Sequence, residues 1–267
     1  MKKAKPFLRW AGGKRWLLNE IDKIVNLDHF DNYYEPFIGG GSIYFHLTPT
    51  NATISDTNVD LINAYLQVRD NVENVIKTLS DFENTEEFYY KIRNKVFNDK
   101  IIEAAKFIYL NQTSFNGIYR VNKQGKYNVP YGHRKNYAFD FPNLLLASES
   151  LRETNILAID FDDTRAMIKE NDLIFLDPPY TVAHNKNGFI QYNQKIFSLD
   201  DQLRLNTFIN NIKNVGAYYI MTNAAHESIK KIFNNGDNIY ELERASVVGG
   251  KFAKRDKYSE LILTNLM

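Results

Sequence analysis

The chain has 267 residues, of which 44% are hydrophobic, with 18 Phe, 17 Tyr and no Cys, and its formal net charge is only +1. That size and aromatic content suit one large domain, or one domain with an insertion, and exclude a disordered chain. The missing cysteines exclude disulfides, cysteine–zinc sites and a thiolate nucleophile, and a near-neutral chain that binds nucleic acid must segregate its charge.

The first motif is Pro6-Phe7-Leu8-Arg9-Trp10-Ala11-Gly12-Gly13-Lys14. Paired glycines let the backbone approach a ligand closely, while Trp10 and Lys14 offer a flat face and a cation for a carboxylate. It is not a phosphate-binding Walker loop, because the first glycine of that pattern is absent. Next, Tyr33-Tyr34-Glu35-Pro36-Phe37-Ile38-Gly39-Gly40-Gly41-Ser42 predicts a short strand, a glycine turn and the start of a helix. The second strand, Ala52 to Ser55, ends in Asp56, seventeen positions after Gly39. Gly39 and Gly41 permit a bare backbone beneath a nucleoside, and an acid at that offset is placed to accept hydrogen bonds from two ribose hydroxyls. The plainer role for Asp56 is to cap the helix that starts near Asn58. A nicotinamide-dinucleotide domain fits less well, since position 44 is Tyr where the third glycine of its fingerprint belongs.

From Asn58 to about Asn111 the apolar spacing predicts consecutive helices and no strand, which interrupts the α/β alternation. The expected organisation is therefore a catalytic domain of residues 1–57 and 143–267 with a helical and β-hairpin insertion at 58–142. The insertion runs into Phe115-Asn116-Gly117-Ile118-Tyr119-Arg120 and on through Asn122, Lys123, Lys126, Asn128 and Pro130, with turn signals at Asn116-Gly117 and Gly125. Between Ala104 and Phe139 there is no acidic residue, while Lys106, Arg120, Lys123, Lys126, Arg134 and Lys135 all fall there. A ribbon with aromatics, amides and cations suits a reader of a DNA groove, where Arg forks onto guanine and Asn pairs with adenine. A solvated hairpin is the plain alternative.

After Pro142 the alternation resumes. Ile156 to Ile159 predicts a strand ending in Asp160-Phe161, and Leu173-Ile174-Phe175-Leu176 a buried parallel strand ending in Asp177-Pro178-Pro179-Tyr180. In open α/β sheets ligands bind at that end of the strand. Both prolines lack a backbone N–H and hold φ near −65°. The tetrapeptide thus presents carbonyl oxygens from a stiff backbone, with a carboxylate before them and an aromatic ring after. Two acceptors beside a stacking face suit a planar ring with an exocyclic NH2, such as adenine. Residues 181–198 form a long loop, a candidate lid. A helix from Asp200, a strand from Ala217, a helix near Ser228 and two antiparallel closing strands, around 239–242 and 259–263, complete the pattern.

These pieces together resemble the Dam-type family of DNA adenine-N6 methyltransferases, over Phe7 to Lys14, Glu35 to Ser42, Asp56, Asn116 to Gly132, Asp160-Phe161 and Asp177 to Tyr180. The resemblance implies a seven-stranded Rossmann-like methyltransferase sheet, S-adenosyl-L-methionine as methyl donor, and double-stranded DNA as partner. It implies cofactor contacts at Trp10, Lys14, Phe37, Gly39, Gly41, Asp56, Asp160, Phe161 and Asp177. It implies catalysis by Asp177, Pro178, Pro179 and Tyr180. It places DNA contacts at Arg9, Asn116, Gly117, Ile118, Arg120, Asn122, Asn128 and Pro130, an intercalating aromatic at Phe115, and phosphate contacts at Lys123, Lys126, Arg134 and Lys135. GATC is the expected target, with Arg9 on its outer guanine. The alternatives are another planar amino nitrogen, in cytosine N4, an RNA adenine or a glutamine amide, or a DNA-binding module without catalysis.

The five histidines show no ligand spacing, so no metal is expected. No apolar run is long enough to span a bilayer, and Lys2, Lys3 and Lys5 precede no signal-peptide core. A cytoplasmic protein without membrane attachment or an obligate protein partner is the expectation.

Overall fold

The computed structural model describes residues 2–122, 124–134, 137–180, 197–245 and 257–266. Its strands form around buried apolar residues, most continuously in the run Leu173 to Leu176, which stops at Asp177. They are β1 (Tyr33–Glu35), β2 (Ala52–Ser55), β3 (Asn155–Leu157), β4 (Leu173–Leu176), β5 (Tyr218–Ala224), β6 (Asn238–Ala245) and β7 (Lys257–Thr264). Among the described residues they order as one seven-stranded sheet, β3-β2-β1-β4-β5-β7-β6. The expected α/β class and the antiparallel closing strands are both present. The chain clusters into two compact units, one of Met1–Glu20 and Ile38–Ala158, the other of Ile21–Phe37 and Ile159–Met267.

In the first unit β2 pairs in parallel with β3, Ile54 opposite Ile156. Helix α2 (Ser42–Leu47) follows the glycine turn. Helices α3 (Val59–Asp70), α4 (Val72–Ser80), α5 (Glu86–Asn94) and α6 (Lys100–Thr113) are the predicted helical block. Asn58, Thr85 and Asp99 cap α3, α5 and α6 by accepting from first-turn amides. The last ten residues of α6, Ala104 to Thr113, are buried except Lys106. Helix α7 (Phe141–Leu151) is capped by Asp140 and carries Pro142 in its first turn, where a missing N–H costs nothing.

In the second unit a short helix, α1 (Leu18–Ile24, which begins in the first unit's N-terminal segment), was not anticipated from the apolar spacing. The parallel set is β1, β4 and β5, with Tyr34 opposite Ile174 and Phe175 opposite Ile220. β7 then runs antiparallel between β5 and β6. Helices α8 (Leu199–Asn214) and α9 (Glu227–Ile232) complete the unit among the described residues. One face of the sheet carries the core: Tyr219, Met221, Leu261 and Leu263 pack with Leu205, Phe208, Ile209 and Ile212 of α8.

Two expectations change. The strand predicted to reach Ile159 ends at Leu157, and a 3-10 helix from Phe161 to Met167 follows, capped by Asp160. The ribbon is not a continuous ladder but two isolated bridges, Ser114 to Tyr131 and Val121 to Tyr127. Polar side chains compete there with strand pairing: the Asn122 carboxamide accepts from the amides of Gln124 and Lys126 and closes the turn itself. The lid candidate, residues 181–198, lies outside the described residues except for Phe197 and Ser198.

Candidate active site

In the second unit, buried β4 lies between β1 and β5 and delivers Asp177 at its carboxyl end. The Thr222 hydroxyl on β5 donates to Asp177 Oδ1 at 2.7 Å. Pro178 is buried; Pro179 and Tyr180 are half-buried. The Tyr180 hydroxyl donates to Glu260 Oε2 on β7 at 2.8 Å. Burial, then the charges of Asp177 and Glu260, push the Tyr180 phenol well above its usual pKa, so it stays a proton donor.

Period-2 geometry puts both supports on one side of the sheet. Thr222 lies opposite Ile262, and Glu260 opposite Ala224, so Thr222 and Glu260 share the face turned away from Met221, Leu261 and Leu263. Both are fully buried polar residues, each next to a run of buried apolar ones, Tyr219-Ile220-Met221 and Leu261-Ile262-Leu263. That interruption was the available signal, and the sequence reading passed over it.

Elsewhere in the second unit Phe37, Phe161 and Phe197 form an aromatic cluster, with Phe37 5.3 Å from Phe161 and 5.8 Å from Phe197. Phe161 is itself buried. Asp160, expected beside a ligand, accepts from the Asp162 amide at 3.0 Å and from Arg204 at 2.7 Å. The Arg204 guanidinium sits 5.0 Å above the Phe161 ring, an arrangement no sequence motif announced.

In the first unit the glycine turn is shaped by its neighbours. Gly39 and Gly41 hold φ of 46° and 69°. A Cβ on Gly39 would stand 2.7 Å from Trp10 Cδ1, so the indole lies directly against this glycine. Tyr65 donates to the Gly39 carbonyl at 3.0 Å. Asp56, at the end of β2, accepts from the Gly39 amide at 3.3 Å and the Asn58 amide at 3.0 Å. Burial raises its carboxyl pKa, and these backbone amides oppose the rise. Lys14 is buried and donates to the Gly12 carbonyl at 2.7 Å. Trp10 also stacks on an aromatic of the segment after α6: its ring is 5.3 Å from Tyr119, nearly parallel at 19°, with Phe107 at 6.4 Å.

The segment that follows α6 and the N-terminal motif are both tied to the end of that helix. The Asn111 carboxamide accepts from the Arg9 amide at 2.8 Å and donates to its carbonyl at 2.7 Å, and Gln112 donates to the Phe7 carbonyl at 2.6 Å. The Arg9 side chain packs on Gly117, where a Cβ would stand 2.5 Å from Arg9 Nε. Arg9 Nη1 is buried and finds no hydrogen-bond partner among the described residues. Burial, then the charge of Arg134, lowers the Arg9 pKa. Phe115 is 53% exposed for so large a ring, beside an exposed Asn116 at φ 56°. Ile118 is half-buried and Pro130 exposed, its carbonyl accepting from the Phe115 amide at 2.9 Å.

Arg120 and Asn128 pair with each other, Nε to Oδ1 at 2.8 Å. Tyr127 donates to the Ile118 carbonyl at 2.9 Å, and burial pushes its phenol up to about 12. Lys126 is exposed. Arg134 is exposed and donates to the Gln112 carbonyl at 2.9 Å, with its guanidinium 4.5 Å from the Tyr137 ring. Lys123 and Lys135 lie outside the described residues. Among the described residues no cluster of three or more His, Asp or Glu is arranged to hold a metal, and no helix is long and apolar enough to cross a membrane.

Comparison with known proteins gives one direction. The profile of the D12 class N6 adenine-specific DNA methyltransferases matches residues 10–248. The chain is 34% identical to the Type II methyltransferase M1.LlaDCHI of Lactococcus lactis, covering 98% of this chain and 95% of that protein. It is 35% identical to the Type II methyltransferase M.MjaIII of Methanocaldococcus jannaschii, over 98% and 99% of the two chains. It is 30% identical to a DNA adenine methylase of Vibrio cholerae, over 98% and 96%.

Proposed function

The chain belongs to the D12 class N6 adenine-specific DNA methyltransferases, and on that premise we propose that it moves the methyl group of S-adenosylmethionine to N6 of an adenine flipped out of duplex DNA, within GATC. The observation that carries this reading is the Asp177-Pro178-Pro179-Tyr180 turn at the end of β4, its carboxylate held by Thr222 and its phenol by Glu260.

The residues present suit the methyl donor. Asp56 already accepts two amides, yet each carboxylate oxygen has a further lone pair, and both suit ribose hydroxyls. Trp10, Lys14, Phe37, Gly39, Gly41, Asp160 and Phe161 would complete its contacts. When bound, S-adenosylmethionine supplies an electrophilic methyl group on a sulfonium.

The chain's own residues do the rest. An adenine must leave the stack to reach a site at a strand end. Tyr180 offers it a stacking face. The Asp177 carboxylate and the Pro178 carbonyl accept the two N6 hydrogens. That draws the nitrogen towards sp3 geometry and localises its lone pair for attack. Asp177 need not be a strong base, because N6 becomes acidic only as the new bond forms. Holding the reactants in line supplies much of the acceleration.

Residues 58–142 would act as the target-recognition insertion. Arg9, Asn116, Gly117, Ile118, Arg120, Asn122, Asn128 and Pro130 would face the bases and Phe115 would wedge between them, with Lys123, Lys126, Arg134 and Lys135 on phosphates. The test is incubation with labelled S-adenosylmethionine and unmethylated duplex DNA, followed by sequencing that detects N6-methyladenine. Label on adenine in GATC is the expected result. Label confined to another sequence overturns the GATC assignment, and label on cytosine overturns the chemistry.

A further inference from the structure

A carboxylate with no exposure, in a strand that continues Leu261-Ile262-Leu263, is costly unless it is hydrogen-bonded, and an apolar residue would pack there more cheaply. Glu260 is that carboxylate, and the Tyr180 hydroxyl donates to it at 2.8 Å. The stacking role given to Tyr180 does not need a hydroxyl, because a phenylalanine ring stacks as well. Hydroxyl and carboxylate are thus two polar groups that base stacking alone leaves unexplained, and they meet each other.

We propose that Glu260 is a positioning residue, which fixes the ring plane of Tyr180 through its hydroxyl and so sets the face on which the flipped adenine stacks. The proposal rests on the methyltransferase reading above. The geometry favours it over a purely structural role. Tyr180 follows two prolines, so its backbone is stiff, but its ring still turns about χ1 and χ2. A bond from the far end of the ring to a rigid strand removes that freedom. Glu260 sits on such a strand, held between β5 and β6 opposite Ala224 and Leu242. Thr222, on the same face, holds the Asp177 carboxylate in the same way. Two adjacent antiparallel strands therefore brace the first and last residues of the tetrapeptide.

The experiment is a double-mutant cycle on the full chain with Tyr180→Phe, Glu260→Gln and Glu260→Leu. It reads single-turnover methyl transfer, KM for S-adenosylmethionine, and the fluorescence of 2-aminopurine at the target position. Tyr180→Phe should slow transfer about tenfold, the equivalent of one charge-assisted hydrogen bond, with an unchanged KM for the donor. Its flipped 2-aminopurine should be quenched differently, because the ring is no longer held. Glu260→Gln, which keeps an acceptor, should retain most of the rate. Glu260→Leu should fall to the level of Tyr180→Phe, and the double variant Tyr180→Phe/Glu260→Leu no lower.

Independent, multiplicative losses overturn the proposal, as does a Tyr180→Phe variant that matches the wild type in both rate and fluorescence. Should Glu260→Leu fail to fold, the rate and the 2-aminopurine fluorescence of Tyr180→Phe decide the question, since a variant that matches the wild type in both overturns the proposal. Wild-type protein that transfers no methyl group to DNA adenine overturns the methyltransferase reading and this proposal with it. Wild-type transfer with independent, multiplicative losses overturns this proposal alone.

Discussion

The Nε of Arg120 donates to the Oδ1 of Asn128 at 2.8 Å, and the Asn128 amide donates to the Arg120 carbonyl at 3.1 Å. Two residues expected to meet the bases are thus one hydrogen-bonded pair, flanking the Val121–Tyr127 bridge. The pair holds the guanidinium in place, which would lower the entropy lost on a contact with DNA.

Arg120→Ala should therefore cost about 1–3 kcal/mol on the preferred site and relax the choice at one base pair. Lys126→Ala, at an exposed lysine of the acid-free stretch, should weaken all sequences alike and lower the salt slope by about one unit. Methylation rates on single-base variants of GATC at two salt concentrations separate the two. A uniform loss for Arg120→Ala would make it a phosphate contact.

Asp177→Ala should abolish methyl transfer and leave the fold intact, since the residue stands at a strand end. Thr222→Val removes the donor that aims the carboxylate and should slow transfer by about 1.5 kcal/mol, roughly tenfold. Single-turnover rates with labelled donor, beside circular dichroism spectra, test both. Near-normal turnover in Asp177→Ala would sink the acceptor mechanism.

Asp56→Ala should weaken S-adenosylmethionine by about 1.5–3 kcal/mol through lost charge-assisted bonds. Burial raises this carboxyl's pKa, so on acidification Asp56 becomes neutral at a higher pH than an ordinary aspartate. Donor affinity should then decline earlier as pH falls. The stability term has the opposite sign: the folded chain holds this proton more tightly, so that contribution favours folding at low pH and is lost as pH rises through the raised pKa. Calorimetric titration of the donor from neutral to acid pH, on wild type and Asp56→Asn, checks the affinity. Unchanged affinity would leave Asp56 as a helix cap only.

Gly117→Ala should be harmful twice over. The position has φ 62°, and a side chain in the left-handed region costs about 1–2 kcal/mol. The new Cβ would also displace the Arg9 guanidinium, 2.5 Å away. A lowered Tm together with a changed preference at the outer base pair is the expected outcome, and a lowered Tm alone would detach Arg9 from sequence reading.

Much of this was legible in the chain. Continuous apolar runs located β4, the glycine turn located the start of α2, and the strand-free stretch after Asn58 located the helical block. Local patterns failed where long-range pairing decides. Arg134 is an exposed cation expected on a phosphate, and no local pattern announced that its guanidinium also meets the Gln112 carbonyl and the Tyr137 ring. Nor did the spacing announce that the Asn122 side-chain oxygen accepts from two amides and closes a turn. Thr222 and Glu260 lie 45 and 80 residues from their partners, so no local spacing could join them to Asp177 and Tyr180.

The clamp of Asn111 and Gln112 on the backbone of Phe7 and Arg9 bears on how sequence preference can be re-engineered. Grafting residues 115–131 from a relative would import a new Asn116-to-Pro130 segment over a resident Arg9, whose seat on Gly117 was shaped for the old one. Because the N-terminal motif and the end of α6 are stitched together side chain to main chain, the natural unit of exchange is discontinuous. It comprises residues 7–10 with 111–132, moved as one cassette, and a chimera that splits them separates Arg9 from the loop that holds it.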